Sequence, residues 1–161
     1  MLRSLLIGLV AGQRGLTPLA AIAIATQRGE VPADLPLQKL LLNPLIAEGT
    51  IALAGAEMAG DKMKSAPDRI VPIGLLVRSM TSAYAGAALA PRDQRALGAA
   101  VAMSAALLSS YVGWRLRVAA MQRYGQTATG LVEDAIVAGA GLVIANPGLI
   151  GGSQPVRRGL R

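Results

Sequence analysis

Histidine, cysteine and phenylalanine are absent from this chain of 161 residues, which has one tryptophan and three tyrosines. Without cysteine or histidine, the sequence excludes disulfides, thiolate or imidazole catalysis and the usual zinc sites. No nucleophile stands in a recognisable frame with a pair of carboxylates. We therefore predict no metal, no cofactor and no enzymatic activity.

Charge is also scarce, because charged residues make up 16% and apolar residues 53% of the chain, with a mean hydropathy of +0.48. Soluble domains typically contain about 25% charged residues. The formal charge of +7 is compatible with binding to nucleic acid. Lysine and arginine cluster at the ends of apolar runs, however, so anionic headgroups of a lipid bilayer are the predicted partner and nucleic acid is not.

The apolar runs are long enough to cross a bilayer whose hydrocarbon core is about 30 Å thick. The clearest one contains no charged residue between positions 96 and 114. We predict an all-α, polytopic membrane protein of one domain, residues 1–152, with about five transmembrane helices and a basic tail at 153–161. The predicted spans are residues 2–26, 44–60, 70–90, 96–114 and 131–152.

The first and third spans each carry an arginine and a threonine at the same spacing, Arg14 with Thr17 and Arg78 with Thr81. Glycines and Pro18 accompany the first pair. Glycine and proline weaken a helix interior but are tolerated in a membrane where protein or water satisfies the freed backbone groups. Both spans are therefore predicted to be interrupted. The recurrence fits either an inverted repeat, which marks substrate sites in transporters, or chance similarity in an alanine-rich chain.

A secretory signal peptide is the alternative interpretation of the first span, with Arg3 preceding a short apolar run and residues 21–23 as a cleavage site. Arg14 directly follows that apolar run, and its motif recurs later in the chain. Both observations favour a membrane segment.

Small residues recur at every fourth position in two of the predicted spans. In lipid, helices associate where small residues let their backbones approach closely. Such strips predict helix packing within the chain and are also compatible with a homo-oligomer. The residues concerned are Gly8 and Gly12 in the first span, and Gly98, Ala102, Ala106 and Ser110 in the fourth.

Polar residues inside the apolar spans are the candidate functional residues. A charge at the centre of a span costs at least about 2.5–3.5 kcal/mol, so it should face protein or water. A structural arginine, either reaching to the headgroups or held in a salt bridge, is the alternative for both arginines. The candidates for a solute path or for buried ion pairs are Arg14, Thr17, Glu57, Asp61, Arg78, Thr81, Glu133 and Asp134.

Three stretches, residues 12–20, 56–72 and 131–139, together resemble the domain of unknown function 4126 family of bacterial membrane proteins. Gly15 departs from the family pattern, because serine is common at that position. The resemblance implies a multi-pass protein of the bacterial inner membrane and brings no activity with it. The residues that match are Arg14, Thr17, Pro18, Glu57, Asp61, Lys62, Pro67, Arg69, Glu133 and Asp134.

Two functions follow from these patterns. One is a small transporter or channel for an anion or a proton-coupled solute, with Arg14, Arg78, Glu57 and Glu133 near the path. The other is a structural or lipid-interacting scaffold. A wet cavity touching both arginines would favour transport, whereas tight carboxylate pairs without a cavity would favour the scaffold. Positive residues divide evenly between the two sides of a five-span protein, and discounting the tail favours a cytoplasmic N-terminus.

Overall fold

The structure is a computed structural model that describes residues 1–32, 34–60 and 71–148. All regular structure in these ranges is helical, so the predicted all-α class is confirmed. The helices are α1 (Leu2–Gln13), α2 (Thr17–Gln27), α3 (Gln38–Leu41), α4 (Pro44–Gly60), α5 (Pro72–Ala88), α6 (Arg95–Tyr124) and α7 (Gln126–Ala145), with a 3₁₀ turn at Arg92–Gln94 before α6.

In the described ranges, two helical stretches are long and apolar enough to cross a membrane. They are Arg92–Tyr124, with 33 residues, and α7, with 20 residues. In the most apolar 18 residues of each helix, only 33% and 28% respectively are buried within the protein. A core helix of a soluble protein would be mostly buried, so these two helices suggest a membrane location. Helix length alone does not extend that conclusion to five spans.

Helix α1 runs antiparallel to α7. Near its start, Arg3 donates hydrogen bonds to the carbonyl oxygens of Ile144 at 2.9 Å and Ala145 at 3.0 Å, at the end of α7. Just past the end of α1, Arg14 contacts Asp134, in the first half of α7. Along the length of α1, the contacts with α7 therefore move from the end of α7 toward its middle.

Helix α2 returns toward the end of the bundle where α1 began. The Nδ2 of Asn146 donates to the carbonyl oxygen of Ala21 at 3.5 Å, and the backbone N–H of Gly148 donates to Glu30 at 3.4 Å. Residues 2–26, which were predicted as one interrupted span, are two helices separated at residues 14–16. These residues form a helical hairpin with its tip at residues 14–16, because glycine and proline at the break allow α2 to fold back along α7.

The third predicted span is not interrupted, since α5 is a continuous helix through Arg78. The glycine nearest to Arg78 in sequence, Gly74, is a full helical turn away, whereas Gly15 directly follows Arg14. The hydroxyls of Ser79, Thr81 and Ser82 also donate to carbonyl oxygens one turn earlier in the same helix. The predicted break at this position is therefore wrong.

The last two predicted spans have different bounds in the structure. Helix α6 continues past the predicted end at 114, because the arginines that follow are good helix formers. Gly125 alone, with a φ of 81°, makes the turn into α7. Helix α7 ends at Ala145, just before the Asn146-Pro147 pair. The end of the predicted span, residues 149–152, and the tail at 153–161 lie outside the described residues.

The bundle has two ends, which we call the terminal end and the Gly125 end. The terminal end holds the start of α1, the end of α2, the start of α6 and the end of α7. Arg95 and Asp34 connect α6 to the chain after α2 at this end, with a nitrogen–oxygen distance of 2.7 Å. The short helix α3 lies in the connector between α2 and α4.

Helices α1, α5 and α6 meet along a tight seam of small residues. A Cβ on Gly8 would overlap the backbone of Ala102, and one on Gly12 would lie 2.6 Å from the carbonyl oxygen of Ala106. A Cβ on Gly98 would lie 2.7 Å from the carbonyl oxygen of Gly86 in α5. Ala102, Ala106 and Ser110 are buried in the same strip. The predicted packing residues therefore all lie at this seam.

Candidate functional site

The tip of the hairpin is buried in protein, and its backbone groups are satisfied by two side chains. The N–H groups of Gly15 and Leu16 donate to the two carboxylate oxygens of Glu57, each at 2.8 Å. The hydroxyl of Thr81 donates to the carbonyl oxygen of Gly15 at 2.6 Å. The first N–H groups of a helix lack partners and carry partial positive charge, which a carboxylate stabilises. Glu57 therefore closes the start of α2.

Arg14 lies at the tip with 1% of its surface exposed. Its Nε donates to Asp134 Oδ1 at 2.7 Å, and its Nη2 lies 2.6 Å from the same oxygen. A second carboxylate, that of Glu133, lies 3.9 Å from Nη2. Burial of two such charges is tolerated because they are paired, and removal of one partner would leave the other uncompensated.

Glu133 also contacts a third arginine, Arg117 of α6. The Nη1 of Arg117 donates to Glu133 Oε2 at 2.9 Å, and both side chains are largely buried. The same Oε2 is the atom that lies 3.9 Å from Arg14. The four side chains Asp134, Arg14, Glu133 and Arg117 therefore form a chain of alternating charge that joins α1, α6 and α7.

Arg78 flanks the other side of the tip. It is 6% exposed, and its Cγ lies 3.0 Å from the position that a Cβ on Gly15 would occupy. Glu57 Oε1 lies 3.5 Å from the same position. A side chain at position 15 would therefore require Arg78 to shift by a few tenths of an ångström. We call Arg14, Glu57, Arg78, Arg117, Glu133 and Asp134 the charged layer.

The other predicted site residues have different positions. Thr81 supports the tip, as described above. Thr17 is buried at the start of α2, and its hydroxyl has no hydrogen-bond partner in the part of the chain that the structure describes. Its methyl group faces Gly141 of α7. Asp61 lies outside the described residues, as do Lys62, Pro67 and Arg69.

A groove of about 660 Å³ lies between the second half of α6 and the first half of α7. Its walls are mainly apolar, and four polar side chains line it close to the tip: Gln13, Ser109, Arg117 and Glu133. Arg14 and Arg78 do not line it. The groove therefore reaches the charged layer from the Gly125 end and touches the layer at one ion pair.

Sequence reasoning missed Arg117, because a basic residue after an uncharged span was interpreted as a headgroup contact. A signal for this pair was available. Arg117 and Glu133 stand at equal distances in the sequence from Gly125, on either side of it. A one-residue turn between two antiparallel helices places such positions opposite each other.

A second cluster of charges lies in the connectors at the terminal end. Asp34 accepts a hydrogen bond from Arg95 at 2.7 Å and lies 3.3 Å from Arg92. The hydrogen bond from Arg95 is the main cause that lowers the pKa of the Asp34 carboxyl below its ordinary value. This cluster is exposed, so it acts as a surface clamp and not as a ligand site.

Among the described residues, no group of three or more acidic side chains is placed to hold a metal ion. Comparisons of the chain with protein-family models, with curated proteins and with solved structures find no match. The resemblance to the domain of unknown function 4126 family therefore stays a prediction. The function has to be argued from the charged layer and the groove.

Proposed function

We propose that the protein is an integral membrane protein in which α4, α5, α6 and α7 cross the bilayer. Helices α4 and α5 have 17 residues each, about 25 Å, which is near the lower limit for a transmembrane helix. Helix α1 has 12 residues, about 18 Å, so the hairpin reaches roughly the middle of the bilayer from the terminal end. Such a re-entrant segment requires that its backbone groups are satisfied by protein, as Glu57 and Thr81 do here.

This topology puts the start of α1 and the end of α7 on the same side, with four crossings in place of the five predicted. The connectors at this end carry Arg28, Lys39, Arg92 and Arg95, and the arginine-containing sequence after Gly148 follows α7. Under the positive-inside rule we propose that this side is cytoplasmic, in the bacterial inner membrane that the resemblance implies.

The chain lacks cysteine, so single cysteines can test the topology directly. We expect Leu2→Cys and Lys39→Cys to be labelled only after the cytoplasmic side is opened, and Thr127→Cys to be labelled from outside intact cells. Labelling of Leu2→Cys and Lys39→Cys from opposite sides would instead support the predicted topology, in which residues 2–26 cross the bilayer. Labelling of all three from outside would indicate that molecules insert both ways.

We propose further that the protein is a carrier for an anion, coupled to a proton. The observation that carries this proposal is the convergence of three buried arginines and three carboxylates on the break between α1 and α2. Charges within a membrane are costly and mark solute paths by default, and broken helices mark the binding sites of many transporters. The groove touches neither Arg14 nor Arg78, so its contact with Arg117 and Glu133 is what links the charged layer to a solute path.

The position of the groove favours a carrier over a channel. The groove reaches the charged layer from the Gly125 end, while the hairpin occupies the corresponding space at the terminal end. The lining of the groove extends only as far as Gln13 and Ser109 and includes no residue at the terminal end. A channel requires a continuous path, whereas a carrier is closed on one side in each of its states. This geometry is therefore the one expected of a carrier open toward the Gly125 end.

Flux into proteoliposomes that contain an internal pH indicator tests this proposal. We expect an inward gradient of an organic anion to acidify the lumen in the presence of the protein. Arg117→Gln should abolish the signal, and Arg115→Gln, an exposed arginine on the same helix, should leave it unchanged. Absence of protein-dependent flux for inorganic and organic anions alike would overturn the proposal.

A scaffold without transport is the second candidate, and Arg14 favours it. Its complete burial and its close pairing with Asp134 are what a structural ion pair requires. If the pair is only structural, a double substitution of Arg14 and Asp134 by leucine should fold and leave every other property of the protein unchanged. Loss of flux in a stable double variant would instead assign the pair to the carrier cycle.

A further inference from the structure

We propose that the groove between α6 and α7 binds an amphipathic organic anion whose acidic head pairs with Arg117. This inference names the ligand class for the carrier proposed above and rests on that proposal for the ligand's passage across the membrane. Binding itself is a separate property and can be measured without transport.

The size and walls of the groove indicate a ligand with an apolar body. A volume of about 660 Å³ falls in the range of about 300–1,000 Å³ typical of small-molecule sites. Leu116, Val132 and Ile136 form its rim and are 66%, 62% and 65% exposed. In a bilayer this rim faces lipid, so an apolar chain can enter laterally. A small inorganic anion would gain no binding free energy from contact with these apolar walls.

The charge of the groove indicates an acidic head. Among the described residues that line the groove, Arg117 is the one cation and Glu133 the one anion. Gln13 and Ser109 lie beside them, and the Nε2 of Gln13 already donates to the carbonyl oxygen of Ser109 at 2.9 Å. An entering carboxylate or sulfonate can therefore accept hydrogen bonds from Arg117 in the place that Glu133 now occupies.

Glu133 has an alternative position when it is displaced, because Arg14 is only 3.9 Å away. The ligand adds one negative charge to a site that Arg14, Arg117, Glu133 and Asp134 leave neutral. These are the charged groups that face Glu133 from α1, α6 and α7 among the described residues. Glu133 can therefore turn toward Arg14 when the ligand takes its place beside Arg117, so that neither arginine is left without an anionic partner.

Equilibrium binding to the full chain in lipid nanodiscs tests the site. The probe is dansyl-aminoundecanoate, and the competitors are decanesulfonate, which does not titrate in the usable pH range, and the neutral decanol. Empty nanodiscs correct for partition into lipid. We expect decanesulfonate to displace the probe, and Arg117→Gln to weaken decanesulfonate on the order of tenfold or more while decanol changes little.

Three variants make the result decisive. Arg115→Gln, the matched control, should bind like the wild type. Ala120→Trp, which fills the groove without changing its charge, should reduce binding of both competitors. Glu133→Gln, which removes the carboxylate that competes for Arg117, should tighten binding of decanesulfonate and leave binding of decanol unchanged.

Each outcome decides the question. Wild-type binding in Ala120→Trp would place the ligand elsewhere and overturn the inference. An unchanged ratio of decanesulfonate to decanol affinity in Arg117→Gln would overturn the assignment of the acidic head. Binding without flux would support the binding site and overturn the carrier proposal. Flux that is unchanged in both Ala120→Trp and Arg117→Gln would support the carrier proposal and overturn the binding site.

Discussion

The two halves of α6 face different surroundings. Its first half, which contains Gly98, Ala102 and Ala106, lies in the tight seam against α1 and α5. Its second half, which contains Val112 and Leu116, borders the groove opposite α7. One continuous helix therefore packs closely over part of its length and leaves a large space over the rest.

The difference follows from side-chain size. In lipid, large apolar side chains gain little from each other, since the acyl chains offer the same contacts, and close packing requires small residues. The strip of small residues at every fourth position of α6 ends at Ser110, and the hydroxyl of Ser110 contacts Gly12 next to the tip of the hairpin. Arg14 and its carboxylates thus mark the boundary between the closed half and the open half of the molecule.

The largest expected effect comes from breaking this boundary at Arg14. Arg14→Ala leaves Asp134 buried without its arginine, so we expect a loss of about 3–5 kcal/mol in the free energy of unfolding. Arg92→Ala, at an arginine that is 73% exposed on its side chain, should cost far less. Thermal unfolding in detergent measures both. Equal effects of the two substitutions would mean that the buried ion pair contributes no more to the free energy of unfolding than an exposed arginine does.

The next effect compares the seam and the groove directly. Gly8→Leu puts a side chain against the backbone of Ala102, and we expect a loss of about 3 kcal/mol, the upper part of the usual range for overpacking. Ala120→Leu, on the wall of the groove, has room and should change stability by less than about 0.5 kcal/mol. If both substitutions destabilise to the same extent, the two halves of α6 do not differ in the way proposed.

A smaller effect is expected at Glu57, which supports the tip from α4. Glu57→Gln keeps the shape but exchanges a carboxylate, which accepts from two N–H groups, for an amide, so we expect a loss of about 1–3 kcal/mol. Glu48→Gln on the exposed side of the same helix is the control. Hydrogen exchange at Gly15 and Leu16 should rise in the first variant and stay low in the second.

The smallest effect is expected at Asp34, in the surface clamp. Because its pKa is lowered in the folded state, its contribution is present well above the ordinary value of 3.8 and is lost as the pH falls through the folded pKa. We expect Asp34→Asn to lower the unfolding temperature slightly at pH 7 and the difference from the wild type to shrink progressively as the pH falls below 3.8. A difference that stays constant throughout acidification would show that the charge is not its cause.

The sequence was sufficient for features that depend on local composition. The all-α class follows from the apolar runs, and the break near Arg14 follows from the glycines and Pro18 around it. The partner of Arg14 was among the carboxylates considered, because a buried arginine needs one. The strip from Gly98 to Ser110 was visible as a spacing of four in a helix.

The direction of the chain after the break was not predictable in the same way. Hydropathy reports the character of residues along the chain, and a hairpin and a kinked span have the same profile. What decides between them is the contact of Ala21 with Asn146 and of Arg3 with the end of α7, which bring together distant parts of the sequence. Arg117 was missed for the related reason that its partner depends on where the turn at Gly125 falls.

The distance along the chain between Arg14 and Asp134, 120 residues, also sets an order of assembly. At synthesis rates of about 5–20 residues per second, Asp134 appears roughly 6–24 seconds after Arg14. Helices α1 and α2, with 12 and 11 residues, are too short to span the bilayer in the meantime. The hairpin of α1 and α2 is synthesised first, and we therefore expect it to be the last part of the protein to reach its final packed position. A cysteine at Ile22, fully buried in the complete protein, should react with a thiol reagent in chains stalled before α7 and become protected once α7 is made.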